Sequence, residues 1–165
     1  MSMKNSFKII LIVNLILFIG YVIYATQAKE KIINDGKLVL LKLAPVDPRS
    51  LMQGDYMILN YAISENIPEN TPQKGYVILE ELNDGEFKAI KFQNYLSKVD
   101  NKQIAIEYSR QETWMRSINI GAESYFFQEG DAEKFEKAVY GGLRVDNKGN
   151  SVLVGLFDEN KKQIN

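Results

Sequence analysis

At 165 residues the chain has room for one folded domain, and about 130 residues remain for it once an unlike amino-terminal segment is set aside. Twenty basic residues stand against 21 acidic ones, and beyond Lys8 the balance is 18 to 21, so nucleic acid meets no concentrated basic face. With no cysteine and no histidine, Ser-His-Asp and Cys-His nucleophile systems, His-ligated metals and thiol redox chemistry are removed, and no cofactor or metal is expected.

Residues 1–8 form a short tail carrying Lys4 and Lys8. From Ile9 to Ala25 the chain reads IILIVNLILFIGYVIYA, 17 residues without a formal charge, close to the roughly 20 that span hydrocarbon at about 1.5 Å each. Asn14 is its one strongly polar residue, and a single amide is tolerated there where a charge would be costly. Signal peptides usually have apolar cores of roughly 7 to 15 residues, so the longer run favours an uncleaved transmembrane anchor over 9–25. Thr26-Gln27-Ala28 is still a passable small-x-small cleavage site, and a signal sequence stands as the alternative. Lys4 and Lys8 favour an inside start, although Lys29 and Lys31 blunt that bias. The expectation is a single-pass protein of the cytoplasmic membrane: a cytoplasmic tail, the anchor, a polar tether over 26–36, and a domain over 37–165 outside the cytoplasm.

Beyond the tether the apolar residues recur with period two, the mark of half-buried strands. KLVLLKLA (37–44), DYMILNYAI (55–63), YVILEEL (76–82), EFKAIKFQ (86–93) and QIAIEYS (103–109) all fit. In the second of these, Met57, Leu59, Tyr61 and Ile63 share one face and Tyr56, Ile58, Asn60 and Ala62 the other. Neither face is plainly polar, which predicts a central strand. Asn83-Asp84-Gly85 is a tight hairpin signal, and Asp100-Asn101-Lys102 marks another turn. Glu65–Gly75, with two of the four prolines, reads as a surface loop. GDAEKFEKAV (130–139) predicts one short helix, with Asp131 as its cap and Phe135, Ala138 and Val139 on its buried side. The chain closes on a hairpin, GLRVDNKGNSVLVGLF (142–157). The predicted fold is mainly β: an antiparallel small barrel or sandwich with one short helix, preceded by the transmembrane helix.

Asp47-Pro48-Arg49-Ser50-Leu51-Met52-Gln53-Gly54 reads as one compact turn of helix, with Asp47 as N-cap, Pro48 in the first helical position and Gly54 as the left-handed stop. An Asp55–Arg49 pair would fix this corner. The stretch also resembles the segment of type I signal peptidases that runs Ser-Met-x-Pro-Thr-Leu-x-x-Gly-Asp. Aligning Leu51 and Gly54-Asp55 puts Val46 where that pattern has its nucleophilic serine, so that activity is not implied.

Gly54-Asp55-Tyr56-Met57-Ile58-Leu59-Asn60-Tyr61 matches, at every fixed position, the motif that names the GDYXXLXY protein family, which the chain therefore resembles. Pro45-Val46-Asp47-Pro48-Arg49 ahead of the motif, and Tyr125-Phe126-Phe127-Gln128-Glu129-Gly130 ahead of the helix, fit two further family elements. The resemblance spans roughly residues 37–157. It implies a small membrane-anchored protein of the bacterial envelope with an integral membrane protein as partner, and it leaves the biochemical role open. The two motifs are expected to meet in space. Asp47, Arg49, Asp55, Tyr56, Tyr61, Tyr125 and Glu129 are the candidate binding residues, none of them assigned a catalytic role. Read as a structural network instead, Glu129 or Asp131 would cap the helix while Tyr61 and Phe126 lie in the core. Trp114 reads first as a core residue, then as a membrane-interface or partner-facing one.

The leading expectation is a membrane-anchored, non-catalytic binding domain. Its alternative is a His-free, carboxylate-based hydrolase or small-ligand receptor built around Arg49, Asp55 and Glu129, which would require burial to push two carboxylate pKa values apart.

Overall fold

The computed structural model describes residues 3–44, 56–65, 67–112, 116–128 and 130–164. Helix α1 (Met3–Asp35) is followed by strands β1 (Lys37–Lys42) and β2 (Tyr56–Ile58), a 3-10 turn over Ala62–Ser64, then β3 (Lys74–Glu81), β4 (Glu86–Gln93), β5 (Gln103–Glu112), β6 (Arg116–Asn119), β7 (Ser124–Phe126), the short helix α2 (Ala132–Phe135), β8 (Tyr140–Val145) and β9 (Ser151–Phe157). Phe7–Asp35 is long and apolar enough to cross a membrane, and its apolar window is wholly unburied.

The helix does not stop where the apolar run does. Residues 26–35, read as a polar tether, continue it without a break. They contain neither Gly nor Pro, and Ala, Lys, Glu and Gln favour helix. Gly36 ends it, its N–H donating to the Ile32 carbonyl at 2.9 Å. A Cβ at Gly36 would lie 2.4 Å from the Ile32 carbonyl oxygen and 3.0 Å from the Val145 nitrogen, so only glycine lets the helix end approach β8 this closely. Arg144 donates to the Gly36 carbonyl at 2.8 Å, and Ile32 is buried. Helix α1 and the sheet are thus joined by a packed corner.

Seven strands form one curled half-barrel sheet in the order β6-β5-β3-β4-β1-β8-β9. Every pairing is antiparallel except β1 with β4. The two predicted hairpins are present. At the first, Gly85 has φ +82° and the Glu86 N–H donates to the Asp84 carboxylate at 3.2 Å. At the second, Asp146 accepts from the backbone of Lys148 and Asn150 at 2.9 and 2.8 Å, while Gly149 supplies φ +90°. One apolar core runs through the sheet, with Val39, Leu41, Val77, Leu79, Ile106, Leu143 and Leu156 at 0% exposure. Period two is the reason: each strand contributes alternate side chains to it.

Two expectations change. DYMILNYAI is not a central strand: β2 has three residues and pairs only with β7, in a separate two-stranded ribbon. Its facial division is as read, since Met57, Leu59 and Tyr61 are buried while Ile58 and Asn60 face solvent. An apolar Tyr56 and Ile58 made the outer face look internal. The predicted helix over 130–139 is only Ala132–Phe135, and Asp131 makes no side-chain cap; its carboxylate pairs with Lys134 at 2.8 Å instead. Phe135 alone is deeply buried, so little apolar area holds more turns in place. The corner read into Asp47–Gly54, and Trp114, lie outside the described residues.

The segment after β9 returns to the sheet, with Phe157 bridged to Gln163 and the Ile164 N–H donating to the Leu156 carbonyl at 2.9 Å. Lys161 holds it down: its ammonium lies 3.0 Å from the Asp84 carboxylate and also donates to the Asp84 carbonyl. The Lys161 hydrogen bond to the carboxylate, seconded by the Glu86 N–H, holds the Asp84 carboxyl below the usual carboxylate range. A pKa lowered by folding gives stabilisation that is complete above the ordinary value of 3.8 and is withdrawn as pH falls through the depressed one. Protection of the Ile164 amide, relative to its intrinsic exchange rate, is therefore expected to fall below that pH, and Asp84→Asn should remove this loss of protection while leaving protection in β3 unchanged.

Candidate functional site

Antiparallel pairing of β2 with β7 puts Tyr56 opposite Phe126, Met57 opposite Tyr125 and Ile58 opposite Ser124. The two separated motifs therefore meet, as expected, and within the described residues they meet through the backbone. The ribbon is also stitched to the ends of its neighbours. The Leu59 N–H donates to the Glu123 carbonyl at 2.8 Å, and the Ala44 N–H to the Asn60 carbonyl at 2.7 Å. Leu43 and Tyr61 form an isolated bridge that continues the line of β1.

Pairing fixes what each face carries, because opposed residues point the same way. Inward go Met57, Leu59, Tyr61 and Tyr125. Tyr125 meets the Phe135 ring edge-on at 5.0 Å, and Phe127 lies 5.4 Å from the same ring. Tyr61 is almost wholly buried, its hydroxyl donating to the Ala122 carbonyl at 2.7 Å. Its ring covers Gly141, where a Cβ would stand 2.8 Å from the ring edge. Burial pushes the Tyr61 hydroxyl far above its ordinary pKa, and the neighbouring Glu123 carboxylate pushes it further. The group is a fixed donor, held neutral.

Outward go Tyr56, Ile58, Ser124 and Phe126. Phe126 is 74% exposed and Ile58 46% exposed, and the half-buried Tyr56 ring leans on Phe126 at 5.7 Å. Phe126 was expected in the core when the motifs were read as a structural network. Register decides otherwise: with Tyr125 packed on Phe135, its neighbour must point away. The alternation in Ser124-Tyr125-Phe126 carries that signal, but three residues are too few to declare a period.

Of the seven candidate residues, the structure brings Tyr56, Tyr61 and Tyr125 onto one ribbon and divides them between its faces. Tyr61 serves the core, Tyr125 the contact with α2, and Tyr56 the outer patch. Asp47, Arg49, Asp55 and Glu129 lie outside the described residues. Among the described residues no group of three or more acidic side chains is placed to hold a metal ion.

Fold and ribbon together define a half-barrel β protein carried on a long apolar amino-terminal helix, with a short two-stranded ribbon laid over the core. The chain belongs to the GDYXXLXY protein family, whose model matches residues 16–156. No curated protein and no solved structure gives a match.

The two faces make opposite demands on substitution. Tyr61→Phe leaves the buried Ala122 carbonyl without its donor and is expected to cost about 1–3 kcal/mol of stability. Phe126→Ser, at an exposed side chain, should stay within about 0.5 kcal/mol of the parent. Denaturant unfolding of the full chain in mild detergent checks both; equal losses would contradict the division of faces.

Proposed function

We propose that this protein is a non-catalytic binding domain held at the cytoplasmic membrane by α1, with its carboxy-terminal domain outside the cytoplasm, and that it engages an integral membrane protein. The observation that carries the reading is the outer face of the ribbon, where Tyr56, Ile58 and Phe126 form an aromatic and aliphatic patch on the pairing of the two motifs. A rigid aromatic side chain such as Phe126 contributes a large apolar area at little entropic cost when a partner covers it. The patch is small, so its affinity in free solution would be modest.

Anchoring compensates for that. A domain tied to the bilayer meets a membrane-embedded partner at a high effective concentration, so a few buried side chains suffice. The ribbon's position suits an extramembrane segment of the partner. From Lys37 just past α1, β1 and its extension reach Ala44, beside Asn60, about 23 Å away at 3.3 Å per residue. Lys4 and Lys8 ahead of the apolar run support the proposed orientation.

Pull-down of the tagged full chain from gently solubilised membranes tests the reading. A co-purifying integral membrane protein is expected, and Ile58→Lys with Phe126→Glu should reduce its recovery by more than about tenfold while the variant stays folded. Repeated recovery of the chain alone, or a partner indifferent to both substitutions, would overturn it.

A further inference from the structure

The other end of the domain carries a second surface. Where α1 meets the sheet, a groove of about 1190 Å³ opens between the helix, the 96–99 segment after β4 and the β8–β9 turn. Lys29 and Lys31 line it from the helix, Lys98 from the segment and Lys148 from the turn. None of these four makes an ion pair with a described residue. Lys37 also lines the groove but is bound to Glu81 at 2.7 Å. Against them stand Asp35 and Asp146, and Asp146 is occupied by the Lys148 and Asn150 amides and by the Asn150 side chain. Cationic charge is therefore in excess.

Depth on the helix gives this groove its meaning. From Phe7 to Ala25 an α-helix rises about 28 Å, close to the hydrocarbon thickness of a bilayer. If that stretch fills the hydrocarbon, Ala28, Lys29 and Ile32 lie at the headgroups, and the groove opens there. Beside it, Tyr95 is 71% exposed and Leu96 41% exposed. An exposed Tyr-Leu pair, with Lys98 two residues further on, is costly in bulk water and suited to the membrane interface, where the ring sits at headgroup level and the ammonium meets phosphate.

We infer that this groove binds the phosphate-bearing headgroup of an anionic phospholipid of the bilayer that α1 crosses, with the Tyr95-Leu96 segment resting in the interface. The inference depends on the anchoring part of the proposed function and on nothing about the ribbon. Its consequence is a fixed pose: α1 and the 95–98 segment form two points of attachment, leaving the ribbon turned away from the lipid.

The absence of cysteine makes the test direct. Leu96→Cys, and Ser124→Cys on the ribbon as its control, each give the full chain one labelling site for a fluorophore. After reconstitution into phosphatidylcholine vesicles with or without phosphatidylglycerol, flotation reports insertion and a headgroup-attached nitroxide lipid reports contact. Quenching is expected severalfold stronger at 96 than at 124, and stronger again with phosphatidylglycerol. Replacing Lys29, Lys31, Lys98 and Lys148 by Gln should lower the preference for the anionic lipid by about tenfold at low salt. A chain that fails to float overturns the anchoring and this inference with it. A floating chain quenched equally at both positions, or at 96 without regard to phosphatidylglycerol or the four lysines, overturns this inference alone.

Discussion

Tyr61 holds the architecture together through one hydrogen bond and one ring contact. Its hydroxyl reaches the Ala122 carbonyl across 61 positions of sequence, and its ring lies over Gly141 in β8. The first contact brings the 122–126 segment beside the motif strand; the second presses both onto the sheet. A two-stranded ribbon such as β2 with β7 is marginal in water by itself, and these contacts, with the packing of Met57 and Leu59, fasten it to the core. The buried polar contact also selects one register, because a slip by one residue would turn the hydroxyl to solvent and leave the carbonyl unpaired.

What could be read in advance follows from how local each signal is. Hairpins were legible because glycine and aspartate act within their own turn: Gly85 and Gly149 at positive φ, Asp84 and Asp146 receiving nearby amides. Long strands were legible because eight residues, as in β3 and β4, declare a period. The ribbon was only half legible. Met57, Leu59 and Tyr61 could be assigned to one face, but the strand that pairs with Tyr56–Ile58 has three residues, too few for periodicity to find. Phe126 was misassigned for the same reason, an aromatic residue being read as internal when only register could place it. Asp131 failed as a cap because an ion pair with Lys134 took its carboxylate, a competition composition does not resolve.

Continuity between anchor and domain changes how the molecule would act at a membrane. A flexible tether would let the domain sample many orientations, so any patch could face the lipid. A helix that runs to Asp35 and ends against β8, with Arg144 on the Gly36 carbonyl, removes that freedom. Orientation is then a property of the fold. The lysine-lined groove and the aromatic ribbon occupy opposite ends of β1 and its extension, so the two proposed contacts, with lipid and with a protein, would not compete.

The family signature itself takes on a physical sense. Of its fixed letters within the described residues, Leu59 and Tyr61 are buried and Tyr56 is half-buried against Phe126. Its open positions divide differently: Ile58 and Asn60 face outward, and Met57 is inside, where an unbranched thioether adapts to its surroundings. Two of the three fixed letters, Leu59 and Tyr61, thus secure the core side, while the third, Tyr56, shares the outer face with Ile58.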